Sequence, residues 1–221
     1  MAPVDSGLLR NTDLFRDLEP DLLDRLFRQA TQRRIHRGDV LFDEGDTAGE
    51  LFVVASGRIA IANKSTDGRE SVVALMESGD LFGEMPLFDG MGRSAEARAL
   101  TTAEVVALPY GPIKQLYDER PELLWEVVGL LARRLRVADE ALADSVFLDV
   151  TGRTAKRLLE MAGDADEFVL PVTQEELAGM VGASRERVNK AIASFIRLGW
   201  IEQGDRKYLI TDREQLTRRA R

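Results

Sequence analysis

The hydrophobic pattern of the chain changes its period near residue 110, and this change constrains the fold more than any other feature. Before it, apolar residues fall in short β-rich runs that glycines separate at intervals of 7 to 12 residues. The runs are 40–42, 51–54, 58–61, 71–75 and 104–108. Tight turns at this spacing predict a compact antiparallel barrel or roll, with its clearest hairpin tip at Ser65 to Gly68. No helix long enough for a crossover interrupts the series, which disfavours a parallel α/β sheet.

Helical periodicity occurs both before and after the β-rich runs. Residues 11–29 predict a short amphipathic helical entry. After a break at 109–112, apolar and small residues recur every three or four positions between residues 121 and 148. This apolar stripe consists of Leu124, Val128, Leu131, Leu135, Ala138, Leu142 and Ser145. Packing against the chain's own barrel is one interpretation. Because a helix of about 28 residues is about 42 Å long, more than a small barrel can cover, we expect a homodimer through residues 121–148.

The last part of the chain predicts a winged helix-turn-helix. Thr173 and Glu176 have the spacing of a capping box, in which the Thr hydroxyl accepts an amide hydrogen and the Glu side chain reaches back to the Thr amide. Gly182 supplies the turn, and Ser184 can cap the second helix. Two strands around a Gly-Asp turn at 204–205 follow and form the wing.

The outer face of the second helix has the chemistry to read base pairs. Its polar residues are Arg185, Glu186, Arg187, Asn189 and Lys190. Arg and Lys donate to guanine, Glu accepts from cytosine, and a recognition helix enters the major groove with its first turns. The formal charge of the chain is −8, but from residue 184 onward 10 basic side chains face 5 acidic ones. The excess of basic side chains from residue 184 onward therefore suits this part of the surface to binding a polyanion. A merely solvated charged face is the alternative, and we interpret the arginines at 218–221 by themselves as a solvated tail.

A second constellation lies at residues 82–95. Gly83 permits close approach of the backbone to a ligand, and amides at the start of the following helical turn could face an anion. Arg93 supplies a cation and Ser94 a hydroxyl for that anion, while Glu84 could accept from a sugar hydroxyl. A plain turn with a structural Glu-Arg pair is the alternative interpretation.

Composition excludes several classes of function. The chain has no Cys, which removes disulfides, thiol catalysis, thiolate metal sites and cysteine-held iron-sulfur clusters. Its single His, His36, stands among arginines and predicts a surface residue, so neither a His-rich metal site nor haem is expected. No nucleophile and base form a recognisable pair, so we expect no enzyme. Without a leader or an apolar span, we expect a soluble cytoplasmic protein with no membrane partner.

Three stretches resemble the cyclic-AMP receptor protein (catabolite activator) family of bacterial transcription regulators, and the resemblance extends over essentially the whole chain. Residues 82–95 resemble the phosphate-binding cassette of that family, 147–153 its interdomain hinge and 181–190 its recognition helix. The resemblance implies an α+β fold with an N-terminal antiparallel, jelly-roll-like β-roll that binds a cyclic nucleotide. A long dimerisation helix and a C-terminal winged helix-turn-helix follow. The expected boundaries are 1–111 for the β-roll, 112–148 for the dimerisation region, 149–152 for the hinge and 153–221 for the DNA-binding domain.

The resemblance also implies roles for individual residues. The nucleotide site would use Glu84 on the ribose 2′-hydroxyl, and Arg93, Ser94 and the Gly83 backbone on the cyclic phosphate, with Met85 and Arg134 nearby. Arg185, Glu186 and Lys190 match base-reading positions, which implies palindromic TGTGA-like half-sites in double-stranded DNA. The remaining DNA contacts would come from Arg187 and Asn189, and from the phosphate-contact positions Thr151, Thr173 and Ser184. RNA polymerase is implied as a further partner.

One departure from the family concerns the base of the nucleotide. Members that bind cyclic AMP carry a polar pair on the long helix, where this chain has Ala138 and Asp139. Ala138 cannot hydrogen-bond, and Asp139 could accept from the adenine amine or from two donors of guanine. Cyclic AMP is the first expectation and cyclic GMP the second. Two alternatives stay open: a constitutive DNA-binding regulator with a vestigial pocket, and a nucleotide sensor that acts through a protein partner.

Overall fold

The computed structural model describes residues 6–64, 70–204 and 207–221. The chain divides into two compact units, the first containing 6–64 and 73–135 and the second containing 70–72 and the described residues from Arg136 onward. The predicted hairpin tip at Ser65 to Gly68 lies outside the described residues, as does Asp205 of the predicted Gly-Asp turn.

The first unit is an antiparallel roll, as the glycine-punctuated runs predicted. Its strands form two four-stranded sheets, ordered β1-β8-β3-β6 and β2-β7-β4-β5. The strands are β1 (Thr31–Ile35), β2 (Val40–Phe42), β3 (Glu50–Ser56), β4 (Ile59–Lys64), β5 (Glu70–Met76), β6 (Leu81–Phe82), β7 (Glu96–Ala99) and β8 (Ala103–Pro109). Phe42, Phe52 and Phe82 stack on one another with ring centroids 5.4 to 6.2 Å apart, and they anchor the apolar interior of the roll.

Short helices flank the roll and bury their apolar faces against it. They are α1 (Gly7–Arg10), α2 (Pro20–Phe27), α3 (Met85–Asp89) and α4 (Tyr110–Glu119). The predicted entry helix over 11–29 is wrong in extent, because turns occupy residues 11–18 and the helix begins only at Pro20. Proline is well placed at a first helical position, where no amide hydrogen is needed. Leu14, Phe15 and Leu18 are nevertheless buried, so their spacing reflects core packing without a helix.

The long helix α5 runs from Leu124 to Phe147 after a 3-10 turn at Pro121–Leu123. Val127 and Leu130 are buried in the core cluster that also holds residues of α2 and α4. The apolar stripe points elsewhere, since all seven of its members are exposed. The four stripe residues up to Leu135 share the first unit with the barrel, so for them the alternative of packing on the chain's own barrel is wrong.

The second unit holds a winged helix-turn-helix with a three-stranded sheet ordered β10-β11-β9. Its elements after α5 are α6 (Val150–Ala162), β9 (Glu167–Val169), α7 (Gln174–Val181), α8 (Arg185–Arg197), β10 (Ile201–Gln203), β11 (Lys207–Ile210) and α9 (Arg213–Arg219). Helix α9 follows the wing and includes Arg218 and Arg219, which the sequence indicated as part of a solvated tail at 218–221. No helix among the described residues has the length and apolar character that a membrane span requires.

Glycine absorbs backbone change at little cost, which predicts Gly152 as the pivot of the hinge expected at 149–152, but the connection between α5 and α6 differs from this prediction. Gly152 lies in the first turn of α6, and the helical path is interrupted before it, at Leu148 and Asp149. Asp149 has extended backbone angles and caps α6 by accepting the Gly152 amide hydrogen at 2.8 Å. A β-carbon on Gly152 would lie 3.0 Å from the Arg219 carbonyl oxygen, so the glycine here serves close helix packing.

Candidate functional site

The cassette at residues 82–95 forms around a left-handed glycine. Gly83 has φ of +75°, and a β-carbon there would lie 2.6 Å from the Nη1 atom of Arg93. Both facts require glycine, because other residues disfavour this backbone and would displace the guanidinium. Helix α3 follows at once and ends at Gly90, which also has a positive φ. The cassette therefore brings the Gly83 backbone against a buried cation.

Arg93 is buried and held by the protein on several sides. Its Nη1 donates to the Gly83 carbonyl oxygen at 2.7 Å, and its Nη2 donates to the Glu50 carbonyl oxygen at 2.8 Å. The Tyr110 hydroxyl lies 3.2 Å from Nη1, and the guanidinium lies 4.1 Å from the centroid of the Phe42 ring. Arg93 Nε is buried without a hydrogen-bond partner in the described part of the chain. The guanidinium is thus fixed in position and retains donor capacity.

Glu84 is fully buried beside it. Its Oε1 pairs with Arg134 Nη1 from α5, and Arg134 Nη2 donates to the Leu81 carbonyl oxygen at 2.7 Å. Oε2 is buried and has no hydrogen-bond partner among the residues described. Burial raises the pKa of the Glu84 carboxyl, against the lowering effects of Arg134, of the backbone hydrogen bond at Glu84 and of Arg93. An acceptor oxygen is therefore available inside the cassette.

The other predicted nucleotide-site residues lie at the surface. Ser94 Oγ lies 3.4 Å from Met85 Sδ, and both side chains are exposed. Ala138 and Asp139 are also exposed on α5. Ala138 follows Arg134 by four residues and so shares its face of the helix, while Asp139 lies about 100° further round.

The helix-turn-helix has the predicted caps. Thr173 Oγ1 accepts from the Glu176 amide at 3.2 Å, and the Glu176 carboxylate accepts from the Thr173 amide at 2.7 Å, which confirms the capping box. Gly182 ends α7 with a φ of +67°. Ser184 Oγ accepts from the Arg187 amide at 3.4 Å and caps α8.

The recognition face of α8 is exposed as predicted, with one exception. Arg185, Glu186, Arg187 and Lys190 are exposed, and Lys190 Nζ donates to Glu186 Oε1 at 2.7 Å. That hydrogen bond lowers the pKa of the Glu186 carboxyl. Asn189 departs from the predicted outer face: it is half-buried, and its Oδ1 is buried without a partner among the described groups. It follows the fully buried Val188 and so lies at the edge of the apolar face.

The three predicted phosphate contacts occupy helix starts. Thr173 and Ser184 are exposed caps of α7 and α8, and Thr151 lies half-buried in the first turn of α6. The described residues place no three His, Asp or Glu side chains together in a group that could hold a metal ion.

Comparison with known proteins decides the family. Over 221 aligned residues the chain is 38% identical to the CRP-like cAMP-activated global transcriptional regulator of Mycobacterium tuberculosis (strain CDC 1551 / Oshkosh). The alignment covers 97% of this chain and 99% of that protein. The chain belongs to the CRP/FNR family of transcription regulators. The family models described as Cyclic nucleotide-binding domain and Crp-like helix-turn-helix domain match residues 32–120 and 152–219.

Two solved structures of CRP/FNR regulators are also similar to this chain. The c-di-GMP responsive global regulator CLP of Xanthomonas campestris superposes with a TM-score of 0.76 at 26% identity, covering 87% of this chain and 99% of its own. The catabolite activator protein of Thermus thermophilus superposes with a TM-score of 0.55 at 31% identity, covering 94% of this chain and 98% of its own. Together with the family models, these similarities confirm the predicted fold class.

Sequence reasoning missed three contributors to the cassette of this CRP/FNR regulator. They are the Glu50 carbonyl oxygen, the Tyr110 hydroxyl and the Phe42 ring, all of which position Arg93. Tyr110 follows directly after β8, and an aromatic with a polar tip at a strand end was the one available signal. A backbone carbonyl carries no signal in its residue type, and Glu50 is 43 residues away in sequence.

The buried Glu84 predicts a pH dependence of stability for this CRP/FNR regulator. Its pKa in the folded chain lies above the ordinary value of 4.5. Its stabilising contribution is therefore complete below that value and is lost as the pH rises through the folded pKa. Glu84→Gln removes this titration, so the melting temperature of the variant minus that of the wild type is expected to increase as the pH rises from the ordinary value of 4.5 through the folded pKa. Thermal unfolding followed by circular dichroism measures the difference.

Glu119→Gln is the control with the opposite sign. The Arg25 hydrogen bond lowers the pKa of Glu119, so its contribution is present above the ordinary value and is lost as the pH falls. The corresponding difference is expected to decrease as the pH rises. A difference for Glu84→Gln that stays constant with pH would contradict the assignment.

Proposed function

We propose that this transcription regulator binds DNA sequence-specifically as a dimer and that a cyclic nucleotide, cyclic AMP before cyclic GMP, gates the binding. One observation carries the proposal: Arg93 and Glu84 are buried beside the left-handed Gly83, and each retains a buried polar atom without a partner among the described residues. A cation for a phosphate and an acceptor for a sugar hydroxyl fit a cyclic nucleotide. Membership of the family, with its nucleotide-binding and helix-turn-helix modules, supports it.

The nucleotide would be held by groups with distinct tasks. Arg93, Ser94 and the Gly83 backbone would bind the cyclic phosphate, and Glu84 would accept from the ribose 2′-hydroxyl. Arg134 would neutralise the carboxylate of Glu84, and Met85 would lie at the edge of the cassette. Ala138 and Asp139 on α5 would meet the base, where Asp139 supplies the only acceptor of the two.

The DNA would be read by α8. Arg185, Glu186 and Lys190 would contact base edges in palindromic TGTGA-like half-sites, with Arg187 on the same exposed face and Asn189 at its edge. Thr151, Thr173 and Ser184 would contact phosphates. A dimer through residues 121–148 would present two recognition helices about 34 Å apart, one turn of DNA. RNA polymerase in the cytoplasm is the further partner that we propose.

Gating requires that the nucleotide prefer one arrangement of the dimer over another, since equal affinity for both would shift nothing. We place the backbone change at Leu148 and Asp149, where the helical path is interrupted between α5 and α6, at the start of the predicted hinge at 149–152. A constitutive regulator is the second candidate, because Arg93 and Arg134 already have protein partners.

Calorimetric titration with cyclic AMP and cyclic GMP tests the proposal. We expect cyclic AMP to bind more tightly than cyclic GMP, and Asp139→Ala to weaken cyclic AMP about tenfold by removing a charged acceptor of the base. Glu140→Ala, an exposed carboxylate at the next position, is the matched control and should change neither affinity.

A third titration uses cyclic di-GMP, to which the similar CLP regulator is described as responsive. Tighter binding of that ligand than of either mononucleotide would reject the proposed effector. If the wild-type protein binds none of the three, the constitutive candidate replaces the proposal.

A further inference from the structure

Helix α9 packs along α6, and side chains of α9 contact both the start and the end of α6. The middle of α9 is anchored by Leu216, which is completely buried. At one end, Arg213 donates to the carbonyl oxygens of Gly163 and Ala165 at 2.9 and 2.6 Å and pairs with Asp166 at 3.1 Å. These contacts hold the start of α9 at the end of α6.

At the other end, Arg219 reaches the start of α6. Its Nη2 donates to both carboxylate oxygens of Asp149, the residue that caps α6. The same carboxylate accepts from the Gly152 amide, whose bond lowers the pKa of Asp149 together with Arg219. The close approach of the Arg219 backbone to Gly152 fixes this end of α9 in the same place. Asp149 is thus held by its own helix and by α9 simultaneously.

Leu148 and Asp149 form the connection between α5 and α6, which we call the joint. Further side-chain contacts hold this joint. Arg153 Nη1 donates to the Leu148 carbonyl oxygen at 2.7 Å, and its Nε donates to the Val181 carbonyl oxygen at 2.9 Å, which is the end of α7. Lys156 on α6 pairs with Asp144 on α5 at 2.5 Å. The joint is therefore connected by side chains to the helix-turn-helix as well as to α9.

From these contacts we infer that Arg219 is a positioning residue for DNA binding: it holds the extended backbone at Asp149 and so sets the direction in which α6, and with it α7 and α8, leaves α5. Without it, the carboxylate of Asp149 keeps, among the described residues, its hydrogen bonds to the backbone amides of Gly152 and Thr151 but loses its tie to α9. The interruption at Leu148 and Asp149 then opens more often, and the recognition helix spends less time in one orientation. The effect on DNA rests on the proposed function, whereas the effect on the joint does not.

Hydrogen–deuterium exchange of the whole 221-residue chain, without nucleotide or DNA, tests the connection between α5 and α6. In Arg219→Gln we expect the peptide covering residues 147–153 to exchange about threefold faster than in the wild type. A change of this size corresponds to the loss of one partly exposed ion pair. Asp149→Asn keeps a capping side chain but loses the charge, so it should give a similar increase. The double variant should add little, because both changes remove one interaction.

Arg218→Gln is the matched control, since Arg218 pairs with Glu214 within α9. It should exchange like the wild type, and Arg219→Lys should restore most of the protection. Unchanged exchange in Arg219→Gln, or effects of the two single variants that add fully, would overturn the inference.

Operator binding provides the second readout. Arg219→Gln should bind about threefold more weakly than the wild type and Arg218→Gln equally well, at fixed salt. Faster exchange with unchanged operator affinity would refute the positioning role while leaving the joint contact intact. Failure of the proposed function would be recognised separately, because the operator affinity of the wild-type protein would then be the same with and without the nucleotide.

Discussion

Arg93→Gln is expected to weaken cyclic-nucleotide binding at least about a hundredfold. Two charge-assisted hydrogen bonds to a phosphate are each worth about 1.5–3 kcal/mol, and glutamine supplies neither the charge nor the two-pronged geometry. The substitution also removes the Arg93 donor from the Gly83 and Glu50 carbonyl oxygens and leaves the Tyr110 hydroxyl bonded to the former, which loosens the cassette. Calorimetric titration with cyclic AMP measures the loss.

Arg33→Gln is the control for this substitution. The Phe52 ring centroid lies 5.4 Å from the Arg93 guanidinium and 5.7 Å from that of Arg33, but Arg33 pairs with the Glu50 carboxylate at 2.7 Å and lies partly exposed on β1. It should keep wild-type affinity. If Arg93→Gln binds cyclic AMP as the wild type does, the assigned role of the guanidinium is incorrect.

Leu135→Asp is expected to convert the dimer into monomers, raising its dissociation constant by at least about a thousandfold. Leu135 is 62% exposed in a single chain and belongs to the apolar stripe, whose length only a second copy of the helix can cover. Aspartate would bury an unpaired carboxylate from each subunit, at a cost of several kcal/mol for the pair. Analytical ultracentrifugation measures the change.

Val137→Asp is the matched control, because Val137 is 65% exposed but lies about 160° round the helix from Leu135. It should leave the dimer largely intact. Equal dissociation in both variants, or in neither, would contradict an interface centred on the stripe.

The features that the sequence predicted best are those encoded locally. The capping box at Thr173 and Glu176, the turn at Gly182 and the cap at Ser184 depend on residues three or four positions apart, and all occur where expected. The strands of the roll could be located because tight turns with glycine are also local.

The features that the sequence did not predict depend on partners that are distant along the chain. Strand β1 contains Gln32, Arg33 and Arg34 and shows no apolar alternation, and it forms because it pairs with β8 some 70 residues later. The arginines at 218–221 indicated a solvated tail, but Arg218 and Arg219 belong to α9, and Arg219 pairs with Asp149, 70 residues earlier in the chain. Gly152 was interpreted as a pivot from its conformational freedom, whereas the structure uses its lack of a side chain.

The central claim is that an anionic nucleotide in the cassette tightens sequence-specific DNA binding by the dimer. Its most direct test is titration of a labelled palindromic operator at one salt concentration, without nucleotide and with saturating cyclic AMP. We expect at least about a fivefold tighter operator affinity with the nucleotide, the lower end of allosteric couplings, and no tightening in Arg93→Gln. Superimposable wild-type curves with and without cyclic AMP and cyclic GMP would contradict the claim.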